Sequence, residues 1–342
     1  MKYFLQKQTK NPKKLLKNKD NLVLKHKKRK KRLKKILLKT FNIYILIYKI
    51  FVLLFLLIYS LLSFQKKAKE LKVALCTMGK QENLYVKEYV NYYINLGVDH
   101  IFIYDDNDIS TEKISDVIGP SYNKYVTIYE NIKDRIKKQK HAFTDCYHNN
   151  KDKYDWFIMF DMDEYLYIVN NTLKNYLSSS ILNECDYIRI HWKLATDNNL
   201  LHYDNRSLFE RFNSSRLKSY FTKSVIRGHI SNLTYGVHHV IGSPINKISC
   251  TNNGIKLLNH KGYDKNGVVK INTQYAYIIH FCYKSTEEFI KKYKRGYSNW
   301  LKNNRLELWA KINEYVRDNK MTKEKVDLFK KELNIDLSKK LK

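Results

Sequence analysis

Proline and glycine are scarce, with 3 prolines and 10 glycines in 342 residues. The chain has no glycine-rich phosphate loop, which excludes nucleotide binding by that device. It also lacks an obvious interdomain linker, apart from the polar stretch Gln65 to Glu70. The 5 cysteines, Cys76, Cys146, Cys185, Cys250 and Cys282, have no metal-ligand spacing, and their odd number leaves at least one thiol unpaired within the chain. No internal repeat is present. Acids are also in deficit: 33 Asp and Glu stand against 64 Lys and Arg, a formal net charge of +31.

That charge is uneven. Residues 1–64 carry 18 Lys and Arg against the single acid Asp20, or +17, and the remainder carries 46 against 32, or +14. Residues 1–40 contain too few apolar side chains for a core and read as a disordered or loosely helical basic tail. The next 24 residues, Phe41 to Phe64, carry Lys49 as their only charge. That run exceeds the roughly 18 apolar residues that mark a membrane span. Lys49 costs about 2–3 kcal/mol unless it snorkels to the basic side, and the surrounding Ile, Leu, Phe and Val offset that cost. A cleaved signal would end in small residues, which Ser63-Phe64-Gln65-Lys66 does not supply. The expectation is an uncleaved signal anchor in the lipid bilayer. The tail outweighs Lys66, Lys67 and Lys69, so it stays cytoplasmic and residues 65–342 face the lumen or exterior. Sequons at Asn170, Asn205, Asn213 and Asn232 agree with that side. Disulfides are compatible with it, but their pairing is not readable.

Beyond a short stalk, 65–70, strand and helix patterns alternate. Leu71–Thr77 reads as a strand, Glu82–Leu96 as an amphipathic helix stopped by Gly97, and His100–Tyr104 as a strand running into Asp105-Asp106-Asn107-Asp108. Tyr125–Glu130 follows as a strand, then a helix over Gln139–Asn149, then an unbroken apolar run, Trp156–Phe160, suited to a strand buried on both faces. Repeated β-α units imply an α/β domain whose strand ends share one edge. Tyr187–His191 and Tyr275–His280 are later strands. Trp300 to Lys342 has helical spacing at Leu306, Leu308, Trp309, Ile312, Tyr315 and Val316, then Val326, Phe329 and Leu333. Two amphipathic helices packed on the domain are expected there.

The Trp156 strand ends on Asp161-Met162-Asp163-Glu164. Three carboxylates at the end of a buried strand repel one another and lose hydration, so a positive partner is needed between them. Oxygen-only ligands favour Mg²⁺ or Mn²⁺. An Asp-x-Asp taken alone equally suits a solvated acidic turn.

The order Glu82, Glu88, NLGVDHIFIYDDND, Gln139, Cys146 and FDMDEYL resembles glycosyltransferase family 92 and its relatives among the inverting GT-A transferases. Lys223 in FTKSVIR, His238 in GVHHV and IIHFCYKSTEEFIKKYKRG extend the likeness, which covers about residues 71–297. The resemblance implies a GT-A α/β mixed sheet with flanking helices, here over 71–299, with a helical extension over 300–342. It implies a UDP-sugar donor, with galactose the favoured hexose, a glycan acceptor and Mn²⁺ or Mg²⁺ held by Asp161 and Asp163. Asp105 would meet the uracil or ribose, with Lys80 and Glu82 on the neighbouring loop and Lys223 also on the donor side. His280 is either a late metal ligand or a hydrogen-bonded, half-buried histidine. Lys284 either reaches a phosphate or lies on a solvated surface. The base that takes the acceptor proton would be Glu164 or Asp197. Trp192 would stack on a sugar or be buried at a strand end, and His238 and His239 are site residues or a polar strand pair. Leu194-Ala195 stands where relatives have Phe-Gly, which bears on acceptor binding.

Other readings start from the same residues. A haloacid-dehalogenase-like phosphatase also places Asp-x-Asp after a strand, but Thr or Val follows the second Asp there, whereas Glu164 and Tyr-Leu-Tyr follow here. A membrane-anchored polyanion binder would use the basic charge and the 28 tyrosines. Such a binder has no need of two acidic clusters, and the tail already accounts for most of the charge excess, so no nucleic-acid partner is expected. A catalytically inactive transferase fold would keep both aspartates. The reading is a type II membrane glycosyltransferase of the Golgi or another secretory membrane.

Overall fold

The computed structural model describes residues 12–65, 70–130, 138–213, 216–236, 238–242, 246–257, 271–295 and 305–341. The chain divides into two compact units, Met1–Glu70 and Leu71–Lys342.

The first unit is one helix, α1 (Pro12–Gln65). The basic segment from Pro12 onward is therefore regular helix, where a disordered or loosely helical tail was expected. Pro12 sits at the opening position, where its missing N–H costs nothing, and no further Pro or Gly interrupts the Lys- and Leu-rich run. Within α1 the stretch Lys27–Tyr59 is long and apolar enough to cross a membrane. Its side chains from Phe41 to Tyr59 are all exposed, the pattern of a helix whose apolar surface is left for lipid.

The second unit is a mixed α/β sheet with flanking helices, the expected fold class. β1 (Val73–Gly79), α2 (Val86–Leu96) and β2 (His100–Asp105) form a parallel unit with Gly79 opposite Asp105. Gly97 caps α2 in the left-handed region at φ 103°, as its place at the helix end demands. After α3 (Ile114–Ile118), β3 (Val126–Tyr129) joins β2 in parallel. α4 (Lys138–Asn150) then leads to β4 (Trp156–Met159), parallel to β1 on its other side with Cys76 opposite Met159. The carboxyl ends of β2 and β4 thus open on one edge, as the sequence implied.

β5 (Glu164–Ile168), α5 (Leu173–Leu177), β6 (Tyr187–Ala195), α6 (Leu208–Arg211) and β7 (Arg216–Arg227) follow. β7 lies antiparallel between β4 and β6. β8 (Thr234–Tyr235) and β9 (Val240–Gly242) make a separate ribbon, while β10 (Ser249–Thr251) and β11 (Lys256–Leu257) extend the sheet past β6. A register shift between His191 and Lys193 bends β6, and its far half pairs with β12 (Ala276–His280) as well as with β7. β12 in turn pairs with β5, placing His280 opposite Glu164.

The apolar run of β4 is buried throughout, and its residues alternate between two cores. Trp156, Ile158 and Phe160 pack with Val86 and Tyr89 of α2, whereas Phe157 and Met159 pack with Phe143 and Tyr147 of α4. Each such side chain contributes about 1.5–3 kcal/mol by burial. The disulfide Cys76–Cys146 ties β1 to α4, and Cys185–Cys250 ties the start of β6 to β10. Cys282 is free.

α7 (Thr286–Arg295), α8 (Arg305–Asp318) and α9 (Lys323–Leu333) form a third core from Phe289, Ile290, Ile312, Tyr315, Val316, Val326 and Phe329. The two expected carboxy-terminal helices thus pack around a third, α7. Trp309, expected on the apolar face, is 44% exposed, and the Leu306 and Leu308 side chains lie outside the described residues.

This helical core holds Asp197. Expected beside the acceptor, Asp197 instead accepts from Lys325 Nζ at 2.5 Å and from the Tyr315 hydroxyl, while its amide donates to Asn319 at 2.7 Å. Lys325 and Asp197 side chains are 1% and 2% exposed. The loop after β6 has apolar neighbours on the helical side, and an ion pair there is tolerated only because each charge finds the other. Asp197→Asn or Lys325→Met alone leaves one buried charge and should cost about 3–5 kcal/mol in urea unfolding. The double variant should recover part of that loss. Single variants of wild-type stability would show that the pair does not anchor the helices.

Candidate functional site

The acidic residues form a tight turn at the sheet edge. The Glu164 amide donates to the Asp161 carbonyl at 3.0 Å, and the Asp161 amide donates back to Glu164 Oε2 at 3.0 Å. Met162 is buried beneath, so close to Gly79 that a Cβ there would lie 2.9 Å from its methyl. Tyrosines of α2 hold the backbone on the helix side. The Tyr89 hydroxyl donates to the Asp161 carbonyl at 3.1 Å and that of Tyr93 to the Glu164 carbonyl at 2.7 Å. Tyr93 also accepts the Leu166 amide at 3.0 Å, and Tyr92 donates to the Leu166 carbonyl at 2.7 Å. A buried phenol needs a partner, and the backbone carbonyls of the turn and of the first half of β5 provide it. Burial, reinforced by the charges of Glu164 and Asp161, pushes the Tyr89 phenol well above its ordinary value, so it remains a donor.

Lysines answer the acids. Lys223, in the middle of β7, lies 2.7 Å from Asp161 Oδ2 and 3.7 Å from Glu164 Oε2 with a fully buried side chain. The Gln139 amide donates to the other Asp161 oxygen. Lys292 of α7 meets Asp163 Oδ2 at 2.7 Å, and His280 Nε2 approaches Asp163 Oδ1 at 3.5 Å. Burial acts to raise the Asp163 carboxyl, but Lys292, His280 and Lys284 outweigh it and hold the group well below the usual carboxylate range. Glu164 goes the other way: burial, with repulsion from Asp161 and Asp163, lifts it well above that range against Lys223. Glu164 Oε1 is buried with no hydrogen-bond partner among the described residues.

A second charged group lies on the loop after β1. Glu82 pairs with Lys284 at 2.6 Å and with Arg295 at 3.5 Å, and Arg295 also donates to the Lys80 carbonyl. Lys284, at φ 57°, lies 3.8 Å above the Tyr85 ring. Beyond it Arg211 binds Glu288 at 3.0 Å and the Tyr85 hydroxyl at 2.9 Å. Lys80 reaches Asp108 at 3.4 Å. Asp105 is buried, and its two oxygens accept the Asn107 and Ile114 amides, each at 2.8 Å. Its carboxylate is thus committed to its own loop. Glu88 likewise accepts the Leu208 amide that opens α6, at 2.9 Å.

On the β12 side, Trp192 packs against His280 at a ring distance of 4.4 Å and against Phe221 and His238 at 5.3 Å each. Trp192 is buried, whereas Phe221 is 41% exposed. Burial, together with Lys223, His280 and His239, lowers His238 to about 3, so it stays a neutral imidazole. Trp192 Nε1, His238 Nδ1 and His280 Nδ1 are buried without a hydrogen-bond partner among the described residues.

The structure therefore brings together Asp161, Asp163, Glu164, Lys223 and His280, sets Glu82 and Lys80 on the adjoining loop after β1 with Lys284 of the β12–α7 connection paired to Glu82, and leaves Asp197 in the helical core. Lys223, expected on the donor side, reaches the acidic turn from β7. Among the described residues no group of three or more His, Cys, Asp or Glu side chains is placed to hold a metal ion, and lysines occupy Asp161 and Asp163 instead. The donor chemistry nonetheless fits a hard divalent ion: two carboxylates and an imidazole beside a buried carboxylate oxygen that lacks a partner. Sequence reasoning missed Lys292 and the hydroxyl roles of Tyr89 and Tyr93, which read as one apolar face. For Lys292 the signal was its position three residues after Phe289, beside the buried stripe of α7.

Residues 69–320 match the glycosyltransferase family 92 model. A family 92 protein of Ricinus communis is 23% identical over 199 residues, covering 56% of this chain and 35% of that protein. One of Arabidopsis thaliana is 28% identical over 144 residues, covering 40% and 24%. A third, of Oryza sativa, is 25% identical over 115 residues, covering 32% and 19%. The chain thus spans about a third or less of the length of these relatives. The match to the family model takes in every element from β1 to α8, including the acidic turn and the strands and helices that hold it, and the chain belongs to glycosyltransferase family 92.

Proposed function

We propose that this protein is a metal-dependent, inverting glycosyltransferase that moves a hexose, with galactose the favoured candidate, from a UDP-sugar to a glycan acceptor. The observation that carries this reading is the pair Asp161 and Asp163, held at a sheet edge by a buried lysine, the hydroxyls of Tyr89 and Tyr93 and a facing histidine. Asp161, Asp163 and His280 would hold Mn²⁺ or Mg²⁺. Bound there, the ion would supply charge neutralisation for the departing diphosphate. The residues of the chain provide the rest. Lys223 keeps Asp161 oriented, the Tyr89 and Tyr93 hydroxyls fix the turn, and Glu82 on the neighbouring loop holds Lys284 and Arg295. Glu164 is fully enclosed and folded back on Asp161, and Asp197 is committed to Lys325, so both carry structural roles in this conformation.

The anchor reading places the domain in the lumen of the Golgi or a similar compartment. All 4 sequon asparagines, Asn170, Asn205, Asn213 and Asn232, are exposed, which supports that side. Expressed in a eukaryotic secretory pathway, the chain should lose apparent mass on treatment with a peptide N-glycosidase. No mass change in a membrane-inserted, correctly folded protein would speak for the opposite orientation.

Asp161→Asn and Asp163→Asn keep side-chain shape and remove charge. Each should lower turnover of a UDP-sugar panel by about 10²-fold or more with the melting temperature nearly unchanged. Chelation should abolish the wild-type rate and Mn²⁺ restore it. Full metal-dependent turnover in both variants would put the reaction elsewhere.

A further inference from the structure

Two lysines reach the acidic turn, and they are built differently. Lys223 rises from the centre of the sheet, has no exposed side-chain surface and faces two acids, Asp161 at 2.7 Å and Glu164 at 3.7 Å. Strand neighbours fix it on both sides, with Met159 of β4 opposite Ser224 and Ile190 of β6 opposite Lys223. Lys292 comes from α7, keeps 18% side-chain exposure, and meets Asp163 Oδ2 at 2.7 Å and the Cys282 carbonyl at 3.5 Å. An ammonium on a flexible four-carbon stem at a partly open position can change partners by rotamer changes alone. The enclosed one cannot.

The charges around Asp163 make that difference matter. Lys292 and His280 take one carboxylate oxygen each, and Lys284 stands close enough to act on the same carboxyl. A divalent cation taking up Asp163 would face the Lys292 ammonium across the same oxygens, and like charges at that range repel strongly in a partly buried site. The cation would also make the turn positive and bring in a polyanion. Lys284 is already paired with Glu82 at 2.6 Å, and Lys223 with Asp161. Lys223 and Lys292 are both paired with carboxylates a metal would claim, and of the two only Lys292 keeps a partly exposed position that leaves it room to move.

We infer that Lys292 is a stand-in cation that becomes a diphosphate ligand. Without metal it neutralises Asp163; when a divalent cation takes that carboxylate, its ammonium transfers to the non-bridging oxygens of a nucleoside diphosphate. The inference rests on the metal and nucleotide reading of the turn and adds a residue and an order of events to it. It carries a signature that a purely structural ion pair lacks. Removing the ammonium frees Asp163 for the cation and deprives the diphosphate of one charge-assisted contact, so the two affinities move in opposite directions.

The test uses the full chain in detergent micelles. Mn²⁺ uptake is followed by the electron paramagnetic resonance of the free ion, and inorganic pyrophosphate is then titrated calorimetrically into the Mn²⁺-saturated protein. Lys292→Gln should bind Mn²⁺ about threefold tighter or more. It should bind pyrophosphate about tenfold weaker, the size of one lost charge-assisted hydrogen bond. Lys292→Arg, which keeps the charge, should restore most of the pyrophosphate affinity and serves as the folding control. Unchanged pyrophosphate binding in Lys292→Gln, or both affinities falling together, would overturn the inference. A wild type that takes up Mn²⁺ and pyrophosphate but not UDP would remove the nucleotide reading and overturn the inference as far as it names a nucleoside diphosphate. A wild type that takes up no Mn²⁺ would overturn both.

Discussion

The repulsion among Asp161, Asp163 and Glu164 is the constraint around which the second unit is arranged. Three carboxylates within four residues cannot sit at the end of a buried strand without cations and fixed dipoles to hold them. The fold supplies these from separate places. Lys223 comes from the centre of the sheet, Lys292 from α7, His280 from the end of β12 and phenol donors from α2. Removing any of these elements would leave part of the turn uncompensated, so the acidic turn explains why a mixed sheet is needed. Parallel strands deliver the loop to the edge, and antiparallel β7 brings a lysine back across it.

The same geometry explains how Glu164 differs from its neighbours. Asp161 keeps 28% side-chain exposure, while Glu164 is enclosed and reaches back to the Asp161 amide. Burial dominates at Glu164, whereas at Asp163 burial is outweighed by Lys292, His280 and Lys284 together. Adjacent acids thus have opposite electrostatic characters. Asp161 is the open member of the three, Asp163 is buried beneath its cationic and imidazole neighbours, and Glu164 closes the turn.

Much of this architecture was legible in the residues. The apolar run Trp156–Phe160 gave a fully buried strand, the strand ends at Asp105 and Asp161 gave a shared edge, and the charge-poor run Phe41–Phe64 gave a helix whose side chains are exposed from Phe41 to Tyr59. The rest depended on contacts that periodicity does not encode. Tyr89 and Tyr93 fit an apolar stripe, and only the turn packed against them shows why the hydroxyls are there. Asp197 lies after a strand as an acceptor-side acid would, but a lysine 128 residues later claims it. Asp105 sits where a ligand contact was expected, yet the amides of its own loop satisfy both oxygens. The pairing of Cys76 with Cys146 follows from the packing of α4 on β1 and that of Cys185 with Cys250 from the pairing of β10 with β6, which no spacing reveals.

The central claim is that the Asp161–Asp163 turn is a metal-dependent nucleotide site. Calorimetric titration of UDP into the full chain, with and without Mn²⁺, tests it most directly. The account predicts binding heat only when Mn²⁺ is present, and none in Asp163→Asn under the same conditions. UDP binding that is indifferent to both the metal and Asp163, or no binding by a folded, Mn²⁺-loaded wild type, would contradict it.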